Sequence, residues 1–97
     1  MLVNLKEILA PAYEKHYAVG SFNCYSYETF RGCIAAGEEM GAPVIAAFGA
    51  AYLANMSLET AHAIAASLAR EADVPVCLHL DHCSEVDVIC RAIKAGF

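Results

Sequence analysis

The chain has 97 residues, room for one small domain at most. Apolar residues make up 59% and charged ones only 18%, against about 45–50% and about 25% in an ordinary globular protein, so part of this surface is expected to meet further protein. The net charge of −5, with Lys and Arg scattered singly, argues against nucleic acid as a partner but not against phosphorylated small molecules.

In chain order, Asn4 and Glu7 form a capping-box pattern that predicts a helix through roughly Lys15. Pro11 lies inside it and predicts a kink or a late start. Tyr17-Ala-Val-Gly-Ser-Phe22 reads as a first strand. Ser26 is placed to cap a second helix, with Glu28 in its first turn and Gly41 at its stop. Pro43 to Phe48 reads as a second strand. Ser57 caps a third helix whose apolar face holds Ala61, Ile64, Ala65, Leu68 and Ala72. Pro75 to Leu80 reads as a third strand. Ser84 with Asp87 predicts a last cap, before an apolar stripe of Val86, Ile89, Cys90 and Ile93 that ends at Gly96.

This is a leading helix followed by three β-α units repeating at roughly 30 residues, the size of such a unit. Near-continuous apolar strands predict an α/β fold with a parallel sheet buried on both faces. Three strands do not close a barrel, and a (β/α)8 barrel takes about 200 residues or more. A small open sheet is the competing architecture. The longest apolar stretch, Ala42 to Met56, is interrupted by Pro43, Gly49 and Asn55 and falls short of the ~20 residues of a membrane helix. Five cysteines, an odd number without Cys-x-x-Cys, point to reduced thiols packed as small hydrophobes in a soluble, cytoplasmic protein.

His79-Leu80-Asp81-His82 carries the chemistry. It delivers a carboxylate and an imidazole side by side at the carboxyl end of the third strand, where α/β proteins collect ligands. Asp moves protons and His holds divalent metals, so the pair suggests metal-assisted carbonyl chemistry. No lysine is read at a strand carboxyl end, which argues against a Schiff-base route. His79 alternates with Asp81 on one strand face and reads as a hydrogen-bonded core histidine, with an assisting role at the site as the alternative. His16 and His62 read as surface. The run Cys77-x-His79-x-x-His82-Cys83 tempts a structural zinc reading, but strand alternation sends 77 and 79 away from 82. Tyr25 and Tyr27 read equally as pocket lining or loop cover.

Taken together, Asn4-Leu-Lys-Glu-Ile-Leu, Tyr17-Ala-Val-Gly-Ser-Phe-Asn23, Ala42-Pro-Val-Ile45, Leu80-Asp-His82 and Ala92-Ile-Lys-Ala-Gly-Phe97 resemble the amino-terminal part of the class II fructose-bisphosphate and tagatose-bisphosphate aldolases. The resemblance spans essentially the whole chain, and its strength lies in five motifs in order. It implies an incomplete TIM barrel: the first three β-α units and a leading helix within a partial aldolase domain over residues 1–97. It implies a lyase of carbohydrate metabolism, glycolysis included, that reversibly cleaves a ketose 1,6-bisphosphate into dihydroxyacetone phosphate and an aldehyde with zinc, and that is a homo-oligomer at full length. Asp81 then corresponds to the catalytic acid/base, His82 to a metal ligand and Asn23 to a substrate contact. The family's other two metal histidines, its glycine-rich phosphate loop and its proton-abstracting acid are expected beyond Phe97. The chain departs from the family at Gly49, where Ser or Thr is usual, and at Cys83, Tyr25 and Ser26, which bears on substrate identity more than on fold; the loops that discriminate fructose from tagatose bisphosphate are not among these residues, so that choice stays open. The bland alternatives are a helix-terminal acid for Asp81, a loop histidine for His82 and a turn cap for Asn23. At the level of the whole chain they are a non-catalytic fragment or split-barrel piece needing a partner chain, and a small Cys/His metal module.

Overall fold

The computed structural model describes residues 1–97. Its elements run α1 (Leu5–Lys15), β1 (Gly20–Asn23), α2 (Tyr27–Met40), β2 (Val44–Gly49), a 3-10 helix (Ala50–Ala54), α3 (Leu58–Glu71), β3 (Val76–Asp81) and α4 (Val86–Ala95). The strands form one parallel sheet in the order β1-β2-β3. The α/β class and the three β-α units match the expectation from the sequence.

Local chemistry explains the boundaries. The Asn4 side chain accepts from the Glu7 N–H at 3.0 Å, and the Glu7 carboxylate accepts from the Asn4 N–H at 2.9 Å. That reciprocal pair starts α1 where expected, and the helix continues through Pro11 without the predicted late start. Ser26 caps α2 through the Thr29 N–H, and Gly41 ends it in the left-handed conformation that glycine adopts at little cost. Ser57 caps α3. The last cap departs from expectation. The N-cap of α4 is Glu85, with no side-chain bond, because the Ser84 hydroxyl donates instead to the Glu85 carboxylate at 3.4 Å. β1 starts later than expected, at Gly20, because pairing with β2 begins there, at Val44. Pro75 has no N–H for a ladder, so β3 starts at Val76, although the Pro75 carbonyl accepts from Val44 N.

Strand alternation divides the core. Val44, Ala46, Phe48, Val76 and Leu78 face α2 and α3, together with Phe30, Ile34, Leu58, Ala61, Ala65 and Ala69. Ile45 and Cys77 face the other way, against Ile8 of α1 and partly buried Val3, Leu5 and Val19. The amino terminus runs beside the start of β3, with the Val3 N–H donating to the Val76 carbonyl at 2.8 Å and the Val76 N–H to the Met1 carbonyl at 3.0 Å. α4 seats on α3 with Ala92 buried and Val88 and Ala95 partly buried. The stripe expected in the core points elsewhere: Val86 is 70%, Ile89 36% and Ile93 67% exposed, and Cys90 is exposed too. Residues 88, 92 and 95 define one helix face and 86, 89, 90 and 93 a second. Only the first has a partner within the chain.

Candidate active site

The face of the sheet that carries Ile45 and Cys77 changes character along the strands. α1 covers its amino-terminal end. Further along, register puts Asn23, Ala47 and His79 in one row and Gly49 beside Asp81 in the next. Paired residues in a parallel sheet project to the same side, so Asn23, His79 and Asp81 share that face. The two central positions, Ala47 and Gly49, contribute no more than a methyl group. Asn23 and Asp81 lie two strands apart and one row along, roughly 10 Å across and about 7 Å along the sheet. A small polyol fits that span.

Asp81 is the last residue of β3 and its side chain is one-third exposed. Its Oδ1 accepts from the His82 backbone N–H at 3.0 Å. α4 begins only at Val86, so Asp81 does not cap a helix. His82 has φ 50 and His16 has φ 56; they are the two non-glycine residues in the left-handed region. An extended residue after Asp81 would send its side chain to the opposite face. The left-handed turn instead leaves His82 Nε2 3.8 Å from Asp81 Oδ2, on an imidazole that is 91% exposed. His16 ends a helix, where left-handed backbone is common, but His82 ends none, and non-glycine residues held this way away from helix ends cluster at functional sites.

His79 departs from expectation. It is not a hydrogen-bonded core residue: its side chain is 36% exposed and its Nε2 stands 3.9 Å from Asp81 Oδ1. The carboxylate is thus bracketed by two imidazoles, one on each oxygen. Its alternation with Asp81 is the signal in the sequence, and β3 is the open edge of the sheet at this level, which leaves the ring unenclosed. Cys77 sits buried beside Ile8 and Ile45 at the other end of the strand, away from exposed His82, so the Cys/His run does not converge. His16 is exposed and forms the left-handed C-cap of α1, as a surface residue can. His62 is not simply a surface residue. It is half-buried, and a Cβ added to Gly96 would meet its Nε2 at 2.5 Å.

The loops after β1 and β2 meet through aromatic rings. Tyr25 lies 5.2 Å from Tyr52 between centroids, and Tyr52 packs edge-on to Phe48. Tyr52 and its 3-10 helix were not foreseen; no periodicity marks a five-residue helix. Tyr25 is half exposed and Tyr27 likewise, on α2. Beneath Tyr25, Cys24 is fully buried, with its Sγ 3.4 Å from the Phe22 carbonyl and 3.6 Å from that of Thr29, either of which can take its one S–H. The hydrogen bond with Cys33 and burial push the Cys24 thiol up, while the same bond holds Cys33 down.

As a donor set, an exposed imidazole beside a carboxylate suits a borderline divalent ion such as zinc. It is one ligand, not a full set. No three His, Cys, Asp or Glu side chains group closely enough to hold a metal by themselves.

The model of the family described as fructose-bisphosphate aldolase class-II matches residues 3–97. The chain belongs to the class II fructose-bisphosphate aldolase family. It is 35% identical over 92 residues to the sulfofructosephosphate aldolase of Alkalicoccus urumqiensis, covering 95% of this chain and 32% of that one. It is 39% identical over 99 residues to the fructose-bisphosphate aldolase of Thermus caldophilus, covering 100% and 32%. The crystal structure of the YdjI aldolase from Escherichia coli K12 superposes with TM-score 0.91 at 36% identity, over 100% of this chain and 38% of that one. The chain therefore spans about a third of the length of these aldolases. No helix is long and apolar enough to cross a membrane.

Proposed function

We propose that these residues form the amino-terminal third of a metal-dependent class II aldolase. It reversibly cleaves a ketose 1,6-bisphosphate to dihydroxyacetone phosphate and an aldehyde. The observation that carries the reading is the convergence of Asp81 and His82 at the carboxyl end of β3, with His82 in left-handed backbone. His82 is the chain's metal ligand, Asp81 its acid/base and Asn23 a substrate contact. A divalent ion, zinc by family resemblance, supplies Lewis-acid polarisation of the substrate carbonyl when bound.

The chain's own part is proton transfer and positioning. Asp81 Oδ1 is tied to the His82 N–H, which leaves Oδ2 as the free acceptor. In cleavage Oδ2 takes the proton from the hydroxyl on the carbon being released. The O–H pair becomes the second bond of the aldehyde carbonyl. The carbon–carbon pair stays with the triose half, which is protonated at carbon by an acid elsewhere in the enzyme. In synthesis Asp81 returns the proton. Asn23, across the small Ala47 and Gly49, holds the far side of the polyol.

The experiment is a pair of variants in the intact enzyme. Asp81→Ala should retain zinc while turnover falls by about 10²–10⁴-fold, the usual worth of a general base. His82→Ala should lose zinc. Equal zinc loss in both variants would refute the division of roles.

A further inference from the structure

Asp81 has a neighbour with no part in the proton transfer itself. His79 lies on the same strand face, two residues earlier, with Nε2 3.9 Å from the Asp81 oxygen that the His82 N–H already holds. His79 also lines a cavity of about 510 Å³ beside the free edge of β3, together with Leu2, Leu5, Leu78 and Ile93.

We propose that His79 is a positioning residue for Asp81. This rests on the acid/base reading of Asp81. An N–H at Nε2 directed at Oδ1 holds the carboxylate from the side opposite its free oxygen. The pair of donors, His82 N–H and His79 Nε2–H, fixes the plane of the carboxylate. Oδ2 then faces the substrate hydroxyl and the His82 imidazole. The present 3.9 Å separation is longer than a hydrogen bond, and such contacts commonly tighten when substrate closes a site. The half-exposed setting of His79 leaves its ring free to make that small movement. Ala47, its paired neighbour on β2, is too short to compete for the imidazole.

A carboxylate that has lost its orienting partner transfers protons less well but does not vanish. The predicted signature is therefore specific. Removing the proton at carbon from dihydroxyacetone phosphate does not involve Asp81. Exchange of that hydrogen with solvent reports the metal, the triose subsite and the rest of the enzyme, and bond cleavage reports Asp81 in addition. In the intact enzyme, with fructose 1,6-bisphosphate and tagatose 1,6-bisphosphate as probes, His79→Ala should lower kcat by about 10–100-fold. KM, zinc content and the exchange of dihydroxyacetone phosphate hydrogen with deuterated water should stay near the parent values. His79→Gln, whose amide keeps a donor, should recover part of the loss.

Asp81→Ala is measured alongside. If it cleaves at the parent rate, the reading of the site itself is wrong. If Asp81→Ala is inactive in cleavage while His79→Ala turns over normally, only the role of His79 is overturned. Loss of zinc, of exchange or of the thermal transition in both His79 variants would also overturn it, since the residue would then be a ligand or a structural member. Cleavage lost, exchange kept and partial rescue by glutamine is the result the proposal requires.

Discussion

Two glycines on one helix give the sharpest test of how α2 is seated. Gly32 and Gly37 both lie inside α2, five residues apart. Replacing either by alanine gains helix propensity worth about 1 kcal/mol. The surroundings differ. A Cβ on Gly32 has nothing within 4 Å, whereas a Cβ on Gly37 would lie 2.8 Å from Val44 Cγ1 and 3.0 Å from the Ala42 carbonyl oxygen. Val44 is buried at the start of β2, and the carbonyl is backbone, so neither yields easily. Overpacking of this kind costs about 1–3 kcal/mol. Gly32→Ala should therefore stabilise by up to about 1 kcal/mol, while Gly37→Ala should be neutral to about 2 kcal/mol destabilising. The gap between them is about 1–3 kcal/mol, and each kcal/mol moves the midpoint of a domain this size by roughly 4–8 °C. Urea and thermal unfolding followed by circular dichroism measure both variants against the parent. If Gly37→Ala proves at least as stable as Gly32→Ala, α2 does not depend on close approach at Gly37, and the packing argument fails.

Three further outcomes follow from the same structure. Glu28 and Glu59 have carboxyls held below the ordinary glutamate range, each first by its own backbone N–H and then by the hydroxyl of the N-cap serine. A lowered folded-state pKa gives stability that is present above the unfolded value and lost as pH falls. Replacing both with Gln should flatten the acid side of the stability profile below about pH 4.5, and an unchanged acid limb would contradict it. Among the thiols, exposed Cys90 and part-exposed Cys83 should alkylate in the native protein. Buried Cys77, whose thiol burial pushes up, should react only after unfolding, and peptide mapping after a timed maleimide pulse reads this. The 97-residue chain by itself should self-associate through Val86, Ile89 and Ile93, since burying one such side chain is worth about 1.5–3 kcal/mol. Ile93→Lys should weaken that association in sedimentation velocity, and a parent that stays monomeric at high concentration would rule it out.

Much of this molecule is legible in its sequence. Capping residues are local chemistry, so Asn4, Ser26 and Ser57 marked three helix starts, and Gly41 and Gly96 marked two ends in left-handed backbone. Strand alternation put His79 and Asp81 on one face. The juxtaposition of Asp81 and His82 is written in their adjacency. The family, too, was visible in motif order. What needed the tertiary structure was everything set by neighbours distant in sequence. Whether the α4 stripe is core depends on which of two apolar faces meets α3, and Ala92 won that contact because a small residue lets the helices approach closely. An apolar strand favours a core setting for His79, yet burial also requires a neighbour on the far side of β3, and the chain supplies one only at the strand's beginning, through Met1 to Val3. His82 reaches back to Asp81 only because its backbone turns left-handed, a conformation that histidine adopts more readily than most residues but that its sequence position alone does not select. Local hydrogen bonding is encoded residue by residue; burial and convergence belong to the arrangement of the whole.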